Sequence, residues 1–320
     1  MKTRKLGRTE LQCSEIGLGT WALGSSVYGS VEKSESDKLI QGSIEKGINF
    51  FDTAPLYGTK VEDGVAESVL GEALGSRRSE VIISTKFGRT ATNVIPGRFT
   101  AKEARLSCEA SLRRLGRDWI DLLFFHSPFT PSEIDDDVWK ELGMLREEGK
   151  LRFLGHSVSM YEDTCEMSAN WLRDRKIDAI QVVLSPFNRE ARPLIETALR
   201  LDCGVVAREC MANGFLSGGI TKDTVFAKGS LNTRYSREEI SERVDYAEAL
   251  RGILVEEGVE TLPEATYRWV LDQPGVSLAL SGAKNLAELE DSIRATEIQS
   301  YGPAVLKSAE VLHKKDFSPA

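Results

Sequence analysis

The chain has 320 residues, of which 41% are hydrophobic and 28% charged, and its 41 basic and 49 acidic residues give a formal net charge of −8. Such a length and composition are typical of a globular protein that buries a large core. The acidic balance argues against a nucleic-acid partner, whose recognition needs a basic surface. No run of 18 apolar residues occurs, so we expect neither a membrane-spanning helix nor a membrane partner.

The cysteines and the N-terminal segment indicate a cellular compartment. Five cysteines without CxxC spacing favour free thiols in a reducing environment over a disulfide framework. The N-terminal segment lacks the apolar stretch of a signal peptide, so we expect a cytoplasmic protein. The three histidines, His126, His156 and His313, have no ligand-like spacing, and no metal site is predicted.

The predicted elements begin with a small β-hairpin within residues 1–14, in which segments 3–6 and 11–14 flank a Gly7-Arg8-Thr9 turn. Short apolar runs follow, and their length is typical of parallel strands buried on both faces. There are eight of these runs, at residues 16–20, 48–53, 81–86, 120–126, 151–157, 177–183, 204–209 and 276–282.

Helical patterns separate the apolar runs. Thr100 and Glu103 have capping-box spacing at the start of the stretch 100–116, and Gly47 and Gly116 stand where C-caps are expected. The remaining helical stretches are 34–47, 62–75, 135–149, 161–173, 190–202, 261–273 and 285–296. Alternating strands and helices suit a closed barrel or a doubly wound sheet, and their even spacing favours one (β/α)8 TIM barrel spanning 1–320.

The connection after the seventh predicted strand is unusually long. Residues 210–260 contain a glycine-rich segment (214–219), a polar loop (221–236) and an extra helix (237–258). Long insertions after a barrel strand shape the active-site face, so we expect this segment to lie there.

Polar and ionisable residues stand at the carboxyl ends of the predicted strands, which form the rim where barrel active sites are built. Each of them alone is compatible with a helix cap, a surface cation or a core histidine. Their occurrence on successive strands predicts a common site. These residues are Asp52, Lys86, His126, Ser157, Gln181, Arg208 and Glu209.

The motif DTAPLYG (52–58) resembles the aldo-keto reductase signature, and SLRRLGRDWIDLLFFH (111–126), GTW (19–21) and LRFLGHS (151–157) resemble further segments of that family. The similarity extends from about Thr3 to Ala295 and is to the branch of bacterial enzymes and potassium-channel β-subunits. It implies reduction of a carbonyl by a nicotinamide cofactor. It also implies a catalytic tetrad, Asp52, Tyr57, Lys86 and His126.

The chemistry of these four side chains agrees with that role. Hydride transfer leaves negative charge on the substrate oxygen, so an acid must supply a proton there. We expect Lys86, held by Asp52, to lower the pKa of the Tyr57 phenol. His126 is expected to hydrogen-bond the carbonyl oxygen.

The resemblance further implies a cofactor across the barrel mouth, with NADPH favoured over NADH. Ser157 and Gln181 would hold the nicotinamide carboxamide, residues 214–218 the pyrophosphate, and residues 281–285 the adenosine end, with Lys284 at a 2′-phosphate. The full cofactor set is Thr20, Trp21, Asp52, Ser157, Gln181, Arg208, Gly214, Leu216, Gly218, Ser281, Gly282, Lys284, Glu288 and Ser292. The substrate pocket set is Trp21, Tyr28, Tyr57 and His126.

One segment matches a dinucleotide-binding pattern without the context that such a site needs. GLGTWA (17–22) matches GxGxxG/A loosely, but a Rossmann site needs a helix to open at its third position. Residues 21–26 read as a loop, so no Rossmann site is expected.

Several positions depart from the family pattern. Val158 stands where an Asn is usual, and Leu184 where a Tyr stacks on the nicotinamide ring. Arg208-Glu209-Cys210 replaces Tyr-Ser-Pro, so Arg208 either forms an ion pair with Glu209 or holds a polar or anionic substrate. Glu288 stands where Gln or Arg is usual, and Ser292 where Asn is usual. Lys284 favours NADPH, whereas the acidic side chain of Glu288 opposes binding of its 2′-phosphate.

Two other functions stay open. Lys86 on a barrel strand suits a Schiff-base aldolase, and the channel-subunit resemblance suits a cofactor-binding regulatory barrel with little turnover. For the reductase, the short loop 127–133, the brief polar tail beyond Tyr301 and the nearby Arg208, Glu209 and Asn188 favour a polar carbonyl such as a keto-sugar or aldose. The sequence does not indicate an oligomeric state.

Overall fold

The computed structural model describes residues 1–24, 31–159, 161–228 and 230–317. Strands β1 (Thr3–Lys5) and β2 (Gln12–Ser14) pair antiparallel, with Thr3 opposite Ser14. One turn of 3-10 helix, Gly7–Thr9, joins them. The predicted N-terminal hairpin is confirmed.

Eight parallel strands close into a barrel, in which sequence neighbours are also spatial neighbours and the last strand pairs with the first. Each strand overlaps one of the predicted apolar runs, so the (β/α)8 barrel is confirmed. The strands are β3 (Ile16–Gly19), β4 (Phe50–Asp52), β5 (Ile82–Phe87), β6 (Ile120–His126), β7 (Leu151–Ser157), β8 (Ala179–Val183), β9 (Gly204–Arg208) and β10 (Leu278–Ser281).

Helices connect the strands, and the predicted ones are present with modest shifts at their ends. They are α1 (Trp21–Gly24), α2 (Lys33–Glu45), α3 (Val65–Leu74), α4 (Ala101–Leu115), α5 (Val138–Glu147), α6 (Tyr161–Arg173), α7 (Arg192–Arg200), α8 (Arg237–Leu254), α9 (Leu262–Leu271), α10 (Leu286–Arg294) and α11 (Pro303–Leu312). Further 3-10 turns are Gly75–Glu80, Pro131–Glu133, Ala212–Ser217 and Leu231–Arg234. Within the described ranges, none of these helices combines the length and apolarity that crossing a bilayer requires.

Two helices were not predicted. The single turn α1 lies where residues 21–24 read as a loop. Helix α11 lies in the tail beyond Tyr301, where Pro303 occupies the first turn, a position that tolerates proline because its amide would lack a partner anyway. Ala309 of α11 is buried, and the helix packs against α8. The tail is therefore an integral element instead of a short polar extension.

Local sequence signals account for several helix ends. The Thr100 hydroxyl accepts the Glu103 amide at 3.2 Å, which is one of the two bonds of the capping box predicted at α4. Gly116 ends the same helix with φ +64°, a backbone region that glycine adopts readily. Complete capping boxes open α8 at Ser236 and α9 at Thr261. These capping residues determine where the helices begin and end.

The apolar core has two layers. The larger one fills the space between the strands and the surrounding helices. The smaller one lies inside the barrel, where Phe50, Phe124 and Val206 contribute, and Leu6 and Leu11 of the hairpin join it from below. Gly7, at φ +50°, brings the hairpin so close that a Cβ would lie 2.4 Å from the Gly204 nitrogen. The hairpin thus closes the amino end of the barrel and leaves the opposite rim open for a site.

Candidate active site

Neighbouring strands bring three of the predicted catalytic residues together. Asp52 ends β4 and pairs with Ser84 in β5, and Lys86 of β5 pairs with Phe124 in β6, two residues before His126. Because parallel strands end at the same rim, the three side chains share the carboxyl face of the barrel. Tyr57 reaches that face from the loop after β4, where its carbonyl accepts the Ala66 amide at 2.9 Å.

Lys86 lies at the centre of the site. Its Nζ donates to Asp52 Oδ2 at 2.7 Å, to the Thr53 carbonyl at 3.0 Å and to Tyr57 Oη at 3.0 Å. Lys86 and Asp52 are both almost fully buried. Burial alone would lower the pKa of Lys86, but Asp52 and Tyr57 together raise it above its ordinary value. The buried cation is therefore compensated by three hydrogen bonds and stays charged.

The other oxygen of Asp52 is also occupied. Oδ1 accepts the Ser84 hydroxyl at 2.7 Å and the Gln181 amide at 2.9 Å, and Gln181 Oε1 accepts the Ser157 hydroxyl at 3.1 Å. Sequence reasoning missed Ser84, although its spacing of two residues from Lys86 places both on the same strand face. Ser157 and Gln181 are thus linked to the charged pair in this structure.

The phenol of Tyr57 departs from the expected direction. Desolvation, and after it the charge of Asp52, raise its pKa above the ordinary value, although the Lys86 ammonium acts in the opposite direction. Lys86 acts with the predicted sign, but the prediction of a net lowered pKa is wrong for this arrangement. The phenol therefore holds its proton throughout the neutral range, the state that a proton donor needs.

His126 lies edge-on to Tyr57, with ring centroids 6.1 Å apart and an interplanar angle of 86°. Burial lowers the pKa of its imidazole well below the usual value, and the charges of Lys86, Arg208 and Arg89 lower it further. The ring is therefore neutral at physiological pH. Among the described residues, its Nδ1 has no hydrogen-bond partner.

The structure describes Trp21 and Tyr57, two aromatic residues of the predicted substrate pocket. The Trp21 ring stacks on Tyr57, with centroids 6.0 Å apart and an interplanar angle of 24°. Thr20, directly before it, donates its hydroxyl to the Asp52 carbonyl at 3.0 Å. The segment after β3 therefore lines the same rim. Tyr28 lies outside the described residues.

Arg208 extends from the end of β9 to the loop after β7. Its Nη2 donates to the Val158 carbonyl at 3.1 Å and to Ser159 Oγ at 2.8 Å, and its Nη1 pairs with Glu209. Glu209 adopts φ +55°, an uncommon conformation for a residue with a side chain. The structure thus shows the ion pair that was one of the two interpretations of Arg208.

The loop after β9 has an unusual backbone. Ala212 and Asn213 have φ +47° and +57°, and Gly214 and Gly218 have φ +90° and +76°. Clustered left-handed residues are found at ligand-binding loops, where strain is tolerated for function. The amides of Gly214 and Leu216 donate to the Met211 carbonyl at 2.9 and 3.2 Å. Phosphate binding through those two amides would require the loop to exchange these bonds.

The segment after β10 uses Glu288 for capping. Its carboxylate accepts the Lys284 amide at 2.9 Å and the Asn285 side-chain amide at 3.1 Å, and Asn285 in turn caps α10. Gly282 is exposed and a Cβ there would meet nothing within 4 Å, whereas Ser281 is buried. The carboxylate of Glu288 thus lies at the helix N-terminus that an anionic ligand would otherwise approach.

Three residues that were expected near the cofactor or substrate are buried in the protein. Ser292 is fully buried, and its hydroxyl donates to the Leu289 carbonyl at 2.7 Å. Leu184 is also fully buried in the layer between strands and helices, so it offers no aliphatic surface to a nicotinamide ring. Asn188 is buried too, and its amide donates to the Phe317 carbonyl. The contact between Asn188 and Phe317 links residues far apart in sequence and could not be read from local patterns.

Comparison with known proteins agrees with the geometry. The model of the Aldo/keto reductase family matches residues 15–308. Aldo-keto reductase YhdN of Bacillus subtilis (strain 168) is 28% identical over 91% of this chain and 87% of its own. A probable voltage-gated potassium channel subunit beta of Arabidopsis thaliana is 26% identical over 100% of this chain and 99% of its own.

Structural comparison gives the same fold. The holo form of aldo-keto reductase AKR11C1 from Bacillus halodurans has a TM-score of 0.78, covers 99% of this chain and 98% of its own, and is 23% identical. The family model spans nearly the whole sequence, including all eight barrel strands and the four residues at the rim. This protein therefore belongs to the aldo/keto reductase family, whose members are oxidoreductases of carbonyls and alcohols.

Proposed function

We propose that this protein reduces an aldehyde or ketone with NADPH, or catalyses the reverse oxidation, and that Tyr57 exchanges the proton with the substrate oxygen. The observation that carries the proposal is the position of Lys86. Its ammonium is 3.0 Å from Tyr57 Oη and 2.7 Å from Asp52 Oδ2. This unit lies at the rim where barrel enzymes bind their substrates.

Each residue of the unit has a distinct part in the proposed reaction. The cofactor, when bound, supplies the hydride. Tyr57 gives its proton to the oxygen that gains negative charge, and Lys86 stabilises the phenolate that remains, each pKa unit being worth about 1.4 kcal/mol. Asp52 keeps Lys86 charged and in place. His126 is neutral, so its N–H can donate to the carbonyl oxygen without adding a proton that competes with Tyr57.

The residues proposed for the cofactor surround this unit. Ser157 and Gln181 would hold the nicotinamide end, residues 214–218 the pyrophosphate and residues 281–285 the adenosine end. The left-handed loop after β9 supports the pyrophosphate assignment. NADPH is favoured by the cation of Lys284, while Glu288 weakens the preference.

The proposed substrate is a polar carbonyl such as a keto-sugar or aldose. The charge of Arg208 lowers the pKa of both Tyr57 and His126, so we expect Arg208, paired with Glu209, to favour a polar substrate. Asn188 does not contribute, since its amide is bonded to the Phe317 carbonyl.

The aldolase alternative is disfavoured by the charge on Lys86. A Schiff base needs a neutral amine, whereas Asp52 and Tyr57 raise the pKa of Lys86. Borohydride treatment in the presence of substrate should therefore leave Lys86 unmodified.

The regulatory alternative is favoured by the similarity to the channel subunit of Arabidopsis thaliana. Turnover decides between it and the reductase. We expect NADPH oxidation with at least one of a panel of aldehydes, ketones, aldoses and keto-sugars, at a higher kcat/KM than with NADH. Tight NADPH binding without oxidation by any of them would favour the regulatory function.

A further inference from the structure

The position of His126 does not depend on a hydrogen bond to its own ring nitrogen Nδ1, because none of the described residues bonds to that atom. The next residue, Ser127, is held instead. It adopts φ +50°, a left-handed conformation that a serine enters only when its surroundings require it. Ser127 is therefore the place to look for what fixes the histidine.

All three polar groups of Ser127 are bonded. Its amide donates to the Ser157 carbonyl at 3.0 Å, and its carbonyl accepts Arg89 Nε at 3.0 Å. Its hydroxyl oxygen accepts the Ser159 hydroxyl at 2.8 Å. The first bond belongs to the strand ends, but the other two come from side chains that reach over the rim.

The Ser159 side chain is itself fixed by Arg208. Arg208 Nη2 donates to Ser159 Oγ at 2.8 Å, so that oxygen accepts from the guanidinium and its proton points to Ser127. The guanidinium is held in turn by Glu209 and by the Val158 carbonyl. A directed chain of donors thus runs from β9 to the residue after His126. Arginine suits its start, because its planar fork serves several acceptors at once.

We propose that Arg208 is a positioning residue for His126, acting through the hydroxyls of Ser159 and Ser127. This inference deepens the reductase function proposed above and rests on it for its kinetic consequence. Arg208 does not need to touch the substrate in order to act. It fixes the backbone at Ser127, and thereby the direction in which His126 presents its N–H to the carbonyl oxygen.

The test compares Ser159→Ala, Arg208→Gln and the double variant with wild type. Ser159→Ala breaks the chain and leaves the arginine charge in place. We expect its kcat to fall about fivefold, the rate equivalent of one hydrogen bond, with the Kd for NADPH changed less than about twofold. Because both changes cut the same chain, the double variant should be no slower than Arg208→Gln alone. Matched controls are Ser132→Ala, whose exposed hydroxyl pairs with that of Thr130, and the exposed Arg200→Gln.

A second readout does not depend on turnover. The chain has three histidines, so ring signals of His126, His156 and His313 can be followed separately by NMR. In Ser159→Ala and Arg208→Gln, we expect the His126 signals to shift or broaden while the other two stay. Unchanged His126 signals in Ser159→Ala, or a double variant whose loss equals the product of the single losses, would overturn the proposal. Shifted signals in a protein that reduces no carbonyl would uphold the positioning role and refute the reductase function.

Discussion

At the scale of single residues, the charge on Lys86 organises the site. Its three hydrogen bonds go to the side chain of Asp52, the carbonyl of Thr53 and the phenol of Tyr57. Burial keeps the phenol protonated, so Tyr57 does not act as a ready-made anion. The ammonium beside it lowers the free energy of the phenolate that proton donation produces. The arrangement thus keeps Tyr57 protonated before the reaction and stabilises the phenolate that remains after proton transfer.

We expect cofactor choice to depend most directly on Glu288. Glu288→Gln retains an oxygen that can accept the Lys284 amide, but it removes the negative charge at the start of α10. We expect the ratio of kcat/KM for NADPH to that for NADH to rise about fivefold, because a 2′-phosphate no longer meets a carboxylate. Lys284→Ala should lower the same ratio.

The control for that experiment is Glu290→Gln on the same helix, which pairs with Lys46 at the surface. It changes the net charge equally without altering the first turn of α10. A ratio that moves as much in Glu290→Gln as in Glu288→Gln would contradict the local explanation.

At the scale of elements, the contact between β7 and α6 makes stability depend on pH. His156 is fully buried, bonds Ser168 Oγ through Nδ1 at 2.7 Å, and lies against Trp171. Burial lowers its pKa from 6.5 to about 3. The unfolded chain therefore takes up a proton below pH 6.5 that the folded chain refuses, and stability falls as the pH drops from 6.5 toward 3.

We predict that His156→Asn reduces this acid sensitivity, since asparagine can keep the bond to Ser168 but does not titrate. Between pH 7 and pH 5, the wild type should lose about 2 kcal/mol more unfolding free energy than the variant. Urea unfolding at both pH values measures the difference. An equal loss in the two proteins would show that His156 is not the group responsible.

The loops after β5 and β6 are joined by a buried ion pair. Arg89 Nη2 bonds Glu133 Oε2 at 2.6 Å, and Arg89 is almost fully buried. The same carboxylate oxygen accepts the Phe129 amide at 2.7 Å. The pair therefore connects the two loops beside His126.

Glu133→Gln should destabilise the protein by about 2 to 3 kcal/mol, because it leaves the buried Arg89 charge without its partner. Glu80→Gln is the matched control, since its pair with Arg77 is exposed and such pairs are worth less than about 1 kcal/mol. Thermal or urea unfolding compares the two. Equal, small changes in both variants would mean that the Arg89 charge is compensated by its carbonyl contacts alone.

At the scale of the whole molecule, the barrel could be predicted because short stretches of sequence identify each strand and helix. Apolar runs identify the strands, capping residues identify the helices, and a parallel barrel then places every strand end on one rim. Asp52, Lys86 and His126 were found in this way. Ser84 could have been found by the same logic, from its spacing to Lys86.

What could not be predicted depends on contacts distant in sequence. Gln181 reaches across the barrel to Asp52, and the Phe317 carbonyl occupies the amide of Asn188. The burial of Leu184 and the net direction of the Tyr57 pKa depend on how completely several elements exclude water. Such competition between burial and charge is decided only once the chain has folded.

The measurement that tests the central proposal most directly is the turnover of Tyr57→Phe with the best carbonyl substrate, alongside titration of the variant with NADPH. The change removes one hydroxyl and keeps the ring that stacks with Trp21. We predict that kcat falls by at least about a hundredfold, while the Kd for NADPH stays within about twofold of wild type. Wild-type turnover in Tyr57→Phe would contradict the assignment of Tyr57 as the proton donor.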